Sequence, residues 1–430
     1  VPPDSPGATA ARRAAIAILE SCARGRVFEP ALAEATRGLD QRDRRLAHEL
    51  AAGVLRRQAA LDAALAPLVS RDWLSVPQRL RTILRLGAYQ LTGLDRVPAH
   101  AAVATSVSLA REASGARAAG FVNAVLRRLA AESAGRPPAG DEAASHPRWL
   151  LDRWVARFGP DETRLLQQWN DQRPRLAIQP ARESLETLAA RLQRDRIAFE
   201  EAPFGAGLYP DVRRPDQIEG FENGAFLVQD PAQAMVVRFA GVQPGSLVYD
   251  ACAAPGGKAL GLAQAGATVI AGDRSRLRVQ RIRQNIARAG SGREYAVVAD
   301  AMHPPAGTVD AVLLDAPCLG TGTFARHPDA RWRVTPEALA DLAGRQREML
   351  DRVAALVKPG GLLIYATCSL EPEENECQVD AFLDLHPEFR REANPAIPRE
   401  LLSPRGDLLI LPHRHRMDGA YSARLRRSAP

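Results

Sequence analysis

Lysine is almost absent from this chain: of its 57 lysine and arginine residues only Lys258 and Lys358 are lysines. The net charge of +7 and the isoelectric point near 9.5 are therefore arginine charge. With the many alanines, this usage reads as a bias toward GC-rich codons, so only part of the basic balance speaks for an acidic partner, nucleic acid being the leading candidate. A lysine retained inside a motif, as Lys258 is, carries more weight. Cysteine is sparse too. The five residues Cys22, Cys252, Cys318, Cys368 and Cys377 are odd in number and form no CxxC pair and no His-Cys cluster. That argues against a disulfide framework and a zinc site, and free thiols of this kind belong in a reducing cytosol. Long apolar runs are missing, and "VPPDSPGATAARRAAIAILES" has no basic region followed by an apolar one. A soluble cytoplasmic protein without metal is expected. Aromatics are few at 5%, yet 46% hydrophobic residues suffice for real cores, and 430 residues imply two or three domains.

Apolar residues at three- and four-residue spacing run through "ARRAAIAILESC", "LDQRDRRLAHELAAGVLRRQAALDAAL", "PQRLRTILRLGAYQLTGL", "AHAAVATSVSLAREA" and "AAGFVNAVLRRLA". They predict an all-α bundle over residues 1–140, with Asp40 capping the second helix and Pro98 starting the fourth. "AESAGRPPAGDEAASHP" reads as a linker. A small α/β module follows within 141–235, where a strand–helix–strand pattern fills about 147 to 222. From Ser246 onward short apolar strands alternate with helices, which predicts a doubly wound, Rossmann-like parallel sheet over 236–430. "DLLILP" and "AYSARLRR" are close enough for an antiparallel hairpin at the sheet edge. The fold class is thus multidomain: an N-terminal all-α bundle, a small α/β module and a C-terminal doubly wound α/β domain.

In such a sheet a ligand binds at the C-terminal strand ends. "VYDACAAPGGK" ends one strand at Asp250 and passes through Gly256 and Gly257, where the main chain can approach a ligand. "ATVIAGD" ends in Asp273, placed to accept ribose hydroxyls, and "YAVVADA" delivers Asp300, which could accept from an adenine amino group. Missing motifs narrow the ligand. There is no G-x-G-x-x-G, and Lys258 lacks the upstream glycine and the following Ser/Thr of a Walker A loop. An adenosine without phosphates fits better, and S-adenosylmethionine is the obvious candidate.

Two apolar strands each deliver one cysteine: "DAVLLDAPCLGTGTFARHPDARWR" carries Cys318 and "LLIYATCSL" carries Cys368. A buried cysteine is usually an inert small hydrophobe, the reading given to Cys22 and, as a packing residue, Cys377. Two thiols at strand ends beside glycine-rich loops and a ladder of acids invite a chemical reading instead. "DACAAPGGK", "DAPCLGTGTFARHPD" and "YATCSLEPEEN" resemble the signature motifs of the RNA cytosine-5 methyltransferases, and "GFVNAVLRRL" resembles the helical domain of the antitermination factor NusB. The combination, with "RHPDARW", is similar to the bacterial branch acting on small-subunit (16S) ribosomal RNA, and it spans nearly the whole chain.

The resemblance implies S-adenosylmethionine as cofactor, small-subunit ribosomal RNA as partner, and a monomeric enzyme. It implies a thiolate adding to cytosine carbon 6, which activates carbon 5. It makes Cys368 the nucleophile and Cys318 the group that assists release; the residues alone leave that choice open. It puts Asp315 on the cytosine N3–N4 edge, with Lys258 near the substrate or that carboxylate. It lines the cofactor with Cys252, Ala253, Ala254, Pro255, Gly256, Gly257 and Lys258, Asp273 on the ribose and Asp300 near the adenine, and counts Asp315 among the cofactor-binding residues. Two departures stand out: Asp418-Gly419-Ala420-Tyr421 where the family reads Asp-Gly-Phe-Phe, and Pro231 where a small residue is common.

The target base must be flipped or single-stranded. Phosphate contacts are expected from residues 42 to 45, Arg56-Arg57, Arg127-Arg128 and Arg326, and "ARHPDARW" reads as an RNA-side lip. Rival readings are a methyltransferase of another RNA such as transfer RNA, and a non-catalytic RNA-binding assembly factor. A binding module has no need of two aligned thiols, which argues against the latter.

Overall fold

The computed structural model describes residues 6–94, 97–133, 146–305 and 307–429. Residues 134–145 of the expected linker lie outside them. The chain divides into two compact units, one comprising the residues up to Gln172 together with Phe324–Val334, the other Arg173–Thr323 and Thr335–Pro430.

The first unit is helical: α1 (Pro6–Ala23), α2 (Phe28–Ala35), α3 (Gln41–Arg56), α4 (Gln58–Leu65), α5 (Gln78–Gly93), α6 (Ala99–Ser133), α7 (Arg148–Phe158) and α8 (Pro160–Asp171). Their apolar stripes converge, with Leu50, Leu61, Ile83, Leu84, Val122 and Leu126 fully buried in one core. Asp40 caps α3, accepting from Asp43 N at 2.7 Å, and the Pro98 carbonyl accepts from Ala101 N and Ala102 N at the start of α6. Ser114 and Gly115 interrupt α6, so the two helical patterns read separately in the sequence are two helical stretches.

The segment Phe324–Val334 corrects an expectation. "ARHPDARW" is no exposed lip: Asp329 and Arg331 are buried. Arg331 is wholly enclosed, its Nη1 2.6 Å from Asp171 Oδ1 and 3.3 Å from the Arg56 carbonyl, its Nη2 2.7 Å from the Asn170 carbonyl. Trp332 Nε1 donates to the Leu55 carbonyl at 3.0 Å, and Phe28 N donates to Asp329 Oδ2 at 3.1 Å. The physical reason lies in helix ends. α3 and α8 finish at Arg56 and Asp171, leaving carbonyls without intrahelical donors, and a guanidinium fork supplies both donors and compensating charge. A charged segment is therefore held largely buried by its hydrogen bonding, which composition does not announce.

The second unit holds two sheets. In the smaller one β1 (Ile178–Pro180), β2 (Phe199–Glu201), β3 (Leu208–Pro210) and β4 (Phe226–Val228) run antiparallel in the order β2-β3-β1-β4. Helix α9 (Leu185–Arg194) buries Leu188 and Leu192 in a core with Ile178, Leu208 and Phe226. The larger sheet contains β5 (Leu247–Asp250), β6 (Thr268–Asp273), β7 (Glu294–Val298), β8 (Val309–Asp315), β9 (Val357–Thr367), β10 (Phe389–Arg391), β11 (Leu408–Ile410) and β12 (Ala420–Arg427). Its order is β10-β12-β9-β8-β5-β6-β7 with β11 on β12, and β9-β8-β5-β6-β7 are parallel. Helices α10 (Pro231–Ala240), α11 (Gly257–Gln264), α12 (Arg276–Ala289), α13 (Pro336–Ala354), α14 (Glu376–Leu385) and α15 (Pro412–His415) complete the unit.

β11 and β12 do pair antiparallel, but β12 lies inside the sheet, between β9 and β10. Ala420 to Leu425 are all buried, which suits a strand covered on both faces. Tyr421, one of the departures, donates its hydroxyl to Asp407 Oδ2 at 2.7 Å. Pro231 occupies the first turn of α10, behind the cap Asp230, where no backbone donor is needed.

Candidate active site

Parallel strands β8, β5 and β6 end side by side, because the register pairs Asp250 with Leu313 and with Ala271. Their C-terminal ends gather Asp315, Asp250 and Asp273. After β5 the chain turns through Ala251–Gly256; Gly256 adopts φ +106°, a conformation that favours glycine, and α11 begins at Gly257. The turn is held by Ala253 N on the Gly272 carbonyl at 2.8 Å and by Asn285 Nδ2 on the Pro255 carbonyl at 2.9 Å. Cys252 is half-buried, and burial, with Asp250 and Asp315 beside it, pushes its thiol up to about 12. Its place in this turn is one of backbone and bulk.

Asp250 is completely buried, and no side chain hydrogen-bonds either carboxylate oxygen. Burial, then Asp315, pushes its acid up to about 8. A buried carboxylate without a side-chain partner beside a glycine turn suits a ligand bearing positive charge, as a sulfonium and an ammonium do. Asp273 is paired already: Arg278 Nε and Nη2 contact its two oxygens at 3.1 and 2.6 Å, and Ser275 N donates at 2.8 Å. Arg278 remains half-exposed, so it can yield to ribose hydroxyls. Asp300 follows β7 and accepts from Met302 N at 3.0 Å.

Lys258, on the first turn of α11, reaches across to β8. Its Nζ lies 2.7 Å from Asp315 Oδ2 and also donates to Gln233 Oε1. Burial disfavours the ammonium, yet the charge and hydrogen bond of Asp315 outweigh it and raise the lysine above its ordinary value. Beyond Asp315, Cys318 Sγ lies 3.4 Å from Cys368 Sγ. The contact to Cys368, then burial, holds the Cys318 thiol well above the usual range. Gly322 packs so tightly on the Cys368 carbonyl and on Gly419 that an added Cβ would meet them at 2.8 and 2.7 Å. The glycine loop after Cys318 is therefore closed down on the second cysteine.

All the residues singled out from the sequence, Cys252 to Lys258, Asp273, Asp300, Asp315, Cys318 and Cys368, lie at or just beyond the C-terminal ends of β5 to β9. Reading the sequence missed Asp250 as a buried acid without a side-chain partner, Arg278 and Gln233 as partners, and Gln346, Glu374 and Asn375, which bond the residues flanking the thiols. For the last two the signal was present in "LEPEEN", directly after the second cysteine. Two peripheral expectations change. Cys377 is exposed on α14 rather than packed, and Arg56 is engaged by the Ala325 carbonyl at 3.2 Å. Arg42, Arg44 and Arg45 are exposed on α3, while Arg128 pairs with Glu132.

Comparison with known proteins bears on this arrangement. Residues 239–426 match the family model of the 16S rRNA methyltransferase RsmB/F, and residues 9–131 match the NusB family. A probable ribosomal RNA small subunit methyltransferase B of Synechocystis is 37% identical over 413 residues, covering 90% of this chain and 92% of that protein. The chain belongs to the RsmB/F family of 16S rRNA methyltransferases. Ribosomal RNA small subunit methyltransferase B of Vibrio cholerae is 32% identical, covering 95% of each chain, and that of Thermus thermophilus 36%, covering 90% and 89%. Among solved structures, PH0851 superposes with a TM-score of 0.78 at 25% identity over 99% of both chains. NSun6 from Pyrococcus horikoshii, solved with SFG, has a TM-score of 0.59 at 20% identity over 66% of this chain and 99% of that one, a likeness of fold. Like the rest of the RsmB/F family, the chain is an S-adenosylmethionine-dependent ribosomal RNA methyltransferase. No helix among the described residues is long and apolar enough to cross a membrane.

Proposed function

We propose that this RsmB/F enzyme methylates carbon 5 of a cytosine in 16S ribosomal RNA through a covalent cysteine adduct. The observation that carries the reading is the pair of thiols 3.4 Å apart, beside the Lys258–Asp315 pair. S-adenosylmethionine, when bound, supplies an electrophilic methyl group. Cys252 to Lys258 and Asp273 would hold it, with Asp300 toward the adenine, and the buried Asp250 suits its positive charge.

The protein's own residues do the rest. Cys368, as thiolate, adds to carbon 6 of the flipped cytosine, so that electron density moves to carbon 5. Asp315 accepts from the exocyclic amino group and steadies a proton at N3, while Lys258 keeps that carboxylate oriented. After methylation the carbon 5 proton is lost to a base, the carbon 5–carbon 6 double bond re-forms and Cys368 leaves as a thiolate, with Cys318 assisting that release.

On this reading residues 1–140 form the RNA-binding bundle, 141–235 the linker and small module, and 236–430 the methyltransferase domain, in a cytoplasmic monomer. Bisulfite mapping of total RNA from cells making the wild-type, Cys368→Ala or Cys318→Ala protein tests it. The expected result is loss of one 16S cytosine mark in Cys368→Ala; methylation by that variant at the wild-type rate would show the assignment of the nucleophile to be wrong.

A further inference from the structure

Neither thiol is placed by its own strand alone. The peptide groups flanking Cys318 both end on a buried polar pair. Leu319 N donates to Glu374 Oε1 and Oε2 at 3.0 and 3.2 Å. Gln346 Nε2, from α13, bridges Glu374 Oε1 at 2.9 Å and the Pro317 carbonyl at 2.8 Å. The residues flanking Cys368 end on the very next side chain. Asn375 Oδ1 accepts from Thr367 Oγ1 at 2.5 Å, and Asn375 Nδ2 donates to the Ser369 carbonyl at 2.9 Å. Tyr365 on β9 donates its hydroxyl to the Glu374 carbonyl at 2.6 Å, anchoring the dipeptide itself. Glu374 and Asn375 are both fully buried.

We propose that the consecutive residues Glu374 and Asn375 are positioning residues that set the spacing of the two thiols, Glu374 through Cys318 and Asn375 through Cys368. This rests on the roles of the cysteines given above and adds a division between them. The two side chains share one rigid backbone unit, so the loops after β8 and β9 are clamped at a common point. A buried carboxylate is expensive unless it is hydrogen-bonded, and here it accepts from the Cys318 loop, from Gln346, which reaches back to that loop, and from Ser369 beside Cys368. Glu374 also adds to the effects that keep the Cys318 thiol protonated, after the contact to Cys368 and burial.

The division predicts opposite kinetic signatures from neighbouring residues. The test uses the full chain, unmodified 16S rRNA transcript and S-adenosylmethionine, with adduct formation and release followed on denaturing gels. Glu374→Ala and Gln346→Ala are expected to form the adduct within about threefold of the wild-type rate and to release it about 10- to 100-fold more slowly. Asn375→Ala is expected to form it about 10- to 100-fold more slowly. Glu374→Gln, which keeps an acceptor for Leu319 N–H, should restore release to within about fivefold. Gln346→Ala deletes the Pro317 arm and one donor to Glu374 but leaves the Leu319 N–H bond to Glu374, so it carries the test if Glu374→Ala does not fold. If all variants slow formation and release by one common factor, or alter only thermal stability, the two residues are merely structural and the inference is overturned. If Cys318→Ala traps no adduct, the cysteine roles themselves fall and this inference falls with them; if that control traps adduct and the split is absent, only this inference falls.

Discussion

Cys318 Sγ lies 3.4 Å from Cys368 Sγ although 50 residues separate them in the chain. Register explains the meeting. β8 and β9 are parallel neighbours with Asp315 opposite Ala366, so residues three beyond one and two beyond the other leave the sheet together. A sheet that presents one thiol per strand end, with Lys258 of α11 reaching the carboxylate of Asp315 at the end of β8, turns a common scaffold into a site for nucleophilic catalysis.

The Lys258–Asp315 pair makes the first prediction. Lys258→Met removes the ammonium that orients and neutralises Asp315. Methyl transfer in single-turnover assays is expected to fall about 100-fold, with the KM for RNA changed far less.

Asp273 makes the second. Asp273→Ala removes the acceptor at the end of β6 and frees the half-exposed Arg278, which water can solvate. Calorimetric titration with S-adenosylmethionine should show affinity reduced about tenfold or more, with the thermal transition of the cofactor-free protein little changed.

Asp250 predicts a pH dependence. In the folded chain it keeps its proton up to about 8, against an ordinary value of 3.8. Between those values the unfolded chain releases a proton that the folded chain retains. Asp250 therefore removes stability as pH rises from about 4 to about 8, and the loss is complete above that. Asp250→Asn should stabilise the cofactor-free protein at pH 7.5, on the order of 3 kcal/mol, and have little effect at pH 4.5. Thermal or urea melts at the two pH values check it.

Arg331 makes the fourth. Arg331→Met leaves the carbonyls of Arg56 and Asn170 and the carboxylate of Asp171 without their donor. A loss of about 2–4 kcal/mol is expected in the helical unit, read as a lowered transition in melts; Asp171 is partly open to water, which keeps the figure below that of a fully enclosed pair. Arg331→Lys should rescue little, since one ammonium cannot span the ends of α3 and α8.

Much of the site was legible because strand-end chemistry is local. An apolar run fixes a strand, and the residue after it must emerge at the sheet's edge, so Asp250, Asp273, Asp315, Cys318 and Cys368 could be placed by counting. The interior position of β12 was not legible, since pairing partners are distant in sequence. Nor was the fate of "ARHPDARW". Charge normally signals exposure, and only the unfilled carbonyls at the ends of α3 and α8 make burial of Arg331 favourable. Cys377 shows the same limit in reverse: a helical pattern names a face, but which face meets a neighbour depends on packing.

Periodicity and strand-end motifs, by themselves, determined the helical bundle, the parallel sheet, the cofactor class and both candidate cysteines, because each follows from interactions within a few residues of chain. The distance between the thiols, the lysine that reaches Asp315, the burial of Asp250 without a side-chain partner and the clamp at Glu374-Asn375 were decided by tertiary structure. Each of these is a contact between segments whose approach depends on how β5, β8, β9 and α13 stack, and no local pattern encodes that distance.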